Sequence, residues 1–149
     1  MRLGFINDIH IDINYKFGVI DAVINMCRIN QVDALAIAGD ISNEIALSKS
    51  FVSEVSNVLG IPVYSVNGNH EFYDQPFSNE NYSDGAIQLT ENTTLLTTTG
   101  WYDYSWYSEG RVDLLKKGKY SFSSGRWADH RYINWNSHFT GDPCINYAR

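Results

Sequence analysis

From Phe51 to Gly110 the chain has no lysine and no arginine. It has two cysteines, Cys27 and Cys144, with neither zinc-site nor redox-motif spacing. Thiols so far apart are expected to be free, as in a reducing compartment, so a cytoplasmic protein is expected. No apolar run approaches the length needed to cross a membrane. Asp8 arrives too early for a secretory leader. There is no glycine-rich phosphate loop, nucleophile elbow or zinc-finger pattern. Histidine is scarce, at four residues: His10, His70, His130 and His138.

The formal charge is −6, which argues against a general nucleic-acid binder that neutralises many phosphates. The stretch without basic residues holds eight acids, whereas seven of the eleven basic residues lie from Arg111 onward. Such a stretch repels an anionic ligand unless cations sit nearby, so bound metal would make electrostatic sense; a solvated acidic face is the simpler alternative. Hydrophobic residues at 44% and charged residues at 19% are the balance of a globular chain. The length fits one domain over residues 1–149. Trp101, Tyr102, Tyr104, Trp106, Tyr107, Trp127, Tyr132 and Trp135 crowd the second half, as core or interface packing would require.

The first seventy residues alternate between two periodicities. Leu3–Ile6, Ala34–Ala38 and Pro62–Val66 are apolar runs of strand length. Val19, Ile20, Val23, Ile24 and Cys27 recur at helical spacing, as do Ile45, Phe51, Val52, Val55 and Val58 or Leu59 in a helix from about Glu44 to Leu59. Strand, helix, strand, helix, strand with short connections predicts parallel strands, and hence an α/β fold. Ligands of such sheets sit beyond the carboxyl ends of the strands. Later, Ala86–Leu89 and Thr94–Thr99 read as strands and Val112–Lys117 as a short helix; Asp74–Asp84 reads as loop and Gly125–Trp135 is ambiguous.

Each of the first three strands is closed by polar residues: Asp8-Ile9-His10, Gly39-Asp40 and Gly68-Asn69-His70-Glu71. In extended chain Asp8 and His10 would point the same way and could grip one ion. Each pair alone is weak evidence; the ordered set at three strand ends is much stronger.

On these three motifs the chain resembles the calcineurin-like metallophosphoesterases, which open with Asp-x-His, Gly-Asp and Gly-Asn-His-Asp/Glu. The strings Gly39–Asn43, Thr99–Ser105 and the region from Trp127-Ala128-Asp129 to Tyr132-Ile133 look like a bacterial and phage branch. The resemblance implies divalent-metal-dependent hydrolysis of phosphomonoesters or phosphodiesters by a metal-bridging hydroxide. By position, Asp8 and His10 would hold the first metal, Asp40 would bridge two, and Asn69 would ligate the second. His70 would stabilise the transition state or protonate the leaving group. Manganese is the first choice for such a donor set, with iron, zinc or magnesium as alternatives. The substrate would be a phosphate ester.

The family completes its site with a later histidine and a Gly-His-x-His, and neither His130 nor His138 has that context. The chain is therefore expected to form roughly the N-terminal half of a four-layer α/β/β/α sandwich with a mostly parallel first sheet, a truncated domain. An uncovered sheet face favours a homo-oligomer or a complementary C-terminal chain. The competing reading is a catalytically inactive remnant that acts by binding.

Overall fold

Short apolar runs form the sheet expected of them. In the computed structural model, which describes residues 1–73, 85–100 and 128–133, β1 (Leu3–Ile6), β2 (Ala34–Ala38) and β3 (Val63–Val66) pair in parallel in the order β1-β2-β3. Phe5 stands opposite Ala36, and Ala36 opposite Tyr64. Because successive side chains alternate between faces, Leu35 and Ile37 point one way and Ala36 and Ala38 the other.

The Leu35 and Ile37 face carries the helices. α2 (Val19–Ile29) and α3 (Ile45–Leu59) pack against each other and against the sheet, with Val23, Cys27, Phe51 and Val55 in one buried cluster with Leu35 and Ile37. These are the helical-spacing positions of the sequence, so periodicity alone identified the buried stripe. Phe51 is 1% exposed and Val55 fully buried. Truncating Phe51 to alanine should cost about 3–5 kcal/mol.

The opposite face differs. Phe5, Ala36, Tyr64 and Val66 share a cleft of 180 Å³ with Leu95, Leu96, Thr97 and Thr98. Leu95–Thr97 belong to an antiparallel hairpin, β4 (Gly85–Thr90) with β5 (Thr93–Thr97), irregular between Gln88 and Thr90. A second β layer thus lies on the side away from the helices. Helices, parallel sheet and second β layer make a mixed α/β arrangement consistent with the N-terminal half of the expected sandwich. Phe5 and Leu96 remain 64% and 77% exposed.

Local geometry departs from expectation after β1. The strand ends at Ile6, and Asp8 and His10 have left-handed φ values of 52° and 45° in place of extended ones. Ile9 and Ile11 turn into the core, which pulls the intervening polar residues out of line. A short helix, α1 (Ile11–Asn14), and a 3-10 turn over Tyr15–Phe17 follow, neither foreseen from the sequence. The ambiguous Gly125–Trp135 region contains helix α4 (Ala128–Tyr132). The expected helix over 112–117, the loop over 74–84, Cys144, His138 and the His130 side chain lie outside the described residues. Among the described residues no helix is long and apolar enough to cross a membrane.

Candidate metal centre

Three loops leave the carboxyl ends of β1, β2 and β3, and backbone hydrogen bonds lace the first two together. Asp8 N–H donates to Gly39 O at 3.3 Å, His10 N–H to Asp40 O at 3.1 Å and Ile11 N–H to Ile41 O at 2.7 Å. The second and third loops touch through glycine. A Cβ on Gly39 would lie 2.5 Å from Gly68 N, and a Cβ on Gly68 would lie 2.6 Å from Asp40 N. No side chain fits at either place, so the glycines are what let Asp40 sit against the third loop.

Glu71 holds this contact from below. It is 1% exposed, and its two oxygens accept from five donors. Oε2 takes Asp40 N–H at 3.0 Å and Gly68 N–H at 2.7 Å. Oε1 takes Ile41 N–H at 2.6 Å, Ser42 N–H at 3.1 Å and the Ser48 hydroxyl at 3.0 Å. Burying that many backbone donors without acceptors would cost several kcal/mol, so one side chain fixes the path of residues 40–42. Asp40 can then be kept at φ 54°, a conformation that non-glycine residues adopt at a cost of about 1–3 kcal/mol. Asp8, His10 and Asp40 are three of the four left-handed non-glycine residues described. Backbone strain therefore concentrates at these loops.

The side chains converge around Asp40. Its Oδ1 accepts the His70 backbone N–H at 3.1 Å. Burial pushes its carboxyl above the usual carboxylate range; that N–H and the His70 charge oppose the rise, and the charges of Glu71 and Asp8 add to it. A cation beside it would reverse the balance. The His70 ring packs edge-on to His10 with centroids 4.4 Å apart, and its Nδ1 lies 2.6 Å from Asn43 Oδ1. With Nδ1–H as donor to Asn43, Nε2 is the nitrogen left for other chemistry.

One ligand-capable atom from each of His10, Asp40 and His70 falls within 4.8 Å of the other two. His10 Nδ1 is buried with no hydrogen-bond partner among the described residues. Two imidazoles, one of them with an orphaned ring nitrogen, and a carboxylate are a donor set that fits a divalent cation. Asp8 stands at the margin: its side chain is 59% exposed and its Oδ1 lies 4.0 Å from His10 Nε2.

Asn69 shares with Asp40 a cleft of 280 Å³ that also includes Asn67, Gly68, Thr99 and Asp129. Asn69 Nδ2 donates to Asp129 Oδ1 at 2.7 Å and to the Tyr73 hydroxyl at 3.0 Å. The structure thus gathers His10, Asp40 and His70 into one cluster, with Asp8 and Asn69 flanking it. His70, expected to act on the transition state or the leaving group, lies within the same cluster.

The sequence model of the family described as calcineurin-like phosphoesterase matches residues 1–146. The chain belongs to the calcineurin-like phosphoesterases. Among curated proteins and among solved structures nothing matches it. Family membership brings metal-dependent phosphoester hydrolysis and divalent metals as the shared chemistry, and the site above is where this phosphoesterase could hold a metal. Sequence reasoning gave no role to Glu71, Asn43, Tyr73 or Asp129. All but Tyr73 lie inside strings that carried the resemblance, so their positions were visible even though their contacts were not.

Proposed function

We propose that this calcineurin-like phosphoesterase hydrolyses phosphomonoesters or phosphodiesters with divalent cations held by Asp8, His10, Asp40 and Asn69, manganese being the first choice. The observation that carries the reading is the clustering of His10, Asp40 and His70 at the strand ends of a chain from this family. Two carboxylates, an imidazole and an amide oxygen are harder donors than thiolates, which favours manganese over softer ions. When bound, such cations neutralise phosphoryl charge and acidify water. Asp40, central in the loop order, would be the carboxylate shared by the two cations. His70 would give an Nε2 proton to the leaving oxygen while its Nδ1–H stays donated to Asn43 Oδ1. Asp8, at the exposed edge and 4.0 Å from His10 Nε2, would add a carboxylate to the cations' donor set.

The test is turnover of a nitrophenyl phosphate ester with manganese, wild type against Asp40→Ala. Loss of turnover in the variant supports the reading; equal turnover in both contradicts it.

A second reading follows from the histidines. Beyond His10 and His70 the chain has only His130 and His138, neither in a Gly-His-x-His. On this reading the protein is an inactive remnant that binds a partner. Calorimetric titration with manganese separates the two: two tight ions favour the enzyme, and one weak ion or none favours the remnant.

The proposal extends to assembly and place. Phe5 and Leu96 are large exposed apolar side chains on the two faces that share the 180 Å³ cleft. A second copy of the chain, or a complementary chain that supplies the family's later motifs, would cover them in the cytoplasm.

A further inference from the structure

The amide of Asn69 is held by a closed ring of three hydrogen bonds. Its Nδ2 donates to Asp129 Oδ1 and to the Tyr73 hydroxyl, and that hydroxyl donates to the same Asp129 Oδ1 at 2.7 Å. Only one arrangement of hydrogens satisfies the ring. A carboxylate oxygen must accept, so the single hydroxyl hydrogen of Tyr73 goes to Asp129, and the hydroxyl lone pair then faces an N–H of Asn69. Turning the amide over would set Oδ1 against the Asp129 carboxylate, acceptor against acceptor, in a site where Asp129 is only 4% exposed. An amide binds a cation through its oxygen, because its nitrogen lone pair is delocalised. Amide orientation therefore decides whether Asn69 is a ligand at all.

We propose that Asp129 is a positioning residue of the metal centre: with Tyr73 it takes both Nδ2 hydrogens of Asn69, so that Oδ1 is the end offered to a cation. Two further contacts make α4 a brace for the third loop. Tyr132 lies against Tyr73 with ring centroids 5.4 Å apart, and Tyr73 lies against His70 at 4.5 Å. From α4, Asp129 thus reaches Asn69 directly and Tyr132 reaches His70 through Tyr73. The inference rests on the reading of Asn69 as a cation ligand.

The experiment is calorimetric titration of the full chain with manganese in five forms: wild type, Asn69→Ala, Asp129→Ala, Asp129→Asn and the Asn69→Ala/Asp129→Ala double variant. Asp129→Ala should weaken manganese binding by about 10–100-fold, the usual effect of removing a partner that orients a ligand. Asp129→Asn should stay close to wild type, because its carbonyl oxygen can accept the same two bonds. In the Asn69→Ala background, Asp129→Ala should add no further loss. Wild-type affinity in Asp129→Ala, or an undiminished further loss in the double variant, overturns the positioning role while leaving Asn69 a ligand. Wild-type affinity in Asn69→Ala overturns both readings. If Asp129→Ala does not fold, Asp129→Asn and Tyr73→Phe decide the matter. Near-wild-type binding in the first and weaker binding in the second support the proposal, and a loss beyond about tenfold in Asp129→Asn overturns it.

Discussion

Glu71 Oε2 accepts the backbone N–H of Asp40 at 3.0 Å, tying the third loop to the residue at the middle of the candidate metal centre. Asp40 and Glu71 are 31 positions apart, and the bond joins the ends of neighbouring parallel strands. Replacing Glu71 by Gln keeps the shape and turns one acceptor into a donor. Whichever way the amide lies, it faces N–H groups that now have no acceptor. Glu71→Gln should cost about 2–4 kcal/mol, read as a lower urea midpoint at unchanged slope, and should weaken manganese binding as residues 40–42 loosen.

Asp40 should trade stability for ligation. Its carboxyl titrates above its ordinary value of 3.8 in the fold, chiefly through burial. The folded state therefore binds this proton more tightly than the unfolded state does. The stabilisation is complete below the unfolded value and is lost as pH rises through the folded one. Without metal, Asp40→Asn should melt above wild type at pH 7, and the gap should close below about pH 4. Excess manganese should reverse the order, because only wild type gains binding energy. A variant that melts below wild type in chelator would show that the ionised carboxylate is not a burden.

Gly39→Ala tests the glycine contact. The new methyl carbon would lie 2.5 Å from Gly68 N and 2.6 Å from Gly68 Cα, and Gly39 itself has φ 79°. Neither backbone can give way without moving Asp40 or Asn69. The variant should lose manganese affinity more than tenfold even if its helical circular dichroism is retained.

How much of this was legible beforehand depends on the range of the interaction that decides each part. β1, β2, α2, α3 and β3 follow from apolar spacing, because Leu35, Ile37, Phe51 and Val55 have one buried environment each and their period reports it. The motif residues were legible as a family signature. Their geometry was not: Asp8 and His10 look extended until Ile9 and Ile11 are known to be core. The Asp129 contact to Asn69 spans 60 positions and is set by where α4 packs, which no local pattern encodes. Glu71 was visible as the last letter of a motif, yet its five donors come from two loops and a helix.

Cys27 is 2% exposed, and burial pushes its thiol above the ordinary value. The thiolate is the reactive form. In a Cys144→Ser variant Cys27 is the sole thiol, and it should resist Ellman's reagent in the native protein and react promptly in urea. Prompt native labelling would show that the core between α2 and the sheet opens readily.

Cation binding by the strand-end loops is tested most directly, and without reference to any substrate, by titration with manganese. Wild type should show saturable binding that Asp40→Ala abolishes while retaining the wild-type circular dichroism. Absence of saturable binding in wild type, or the same isotherm in a folded Asp40→Ala variant, would contradict it.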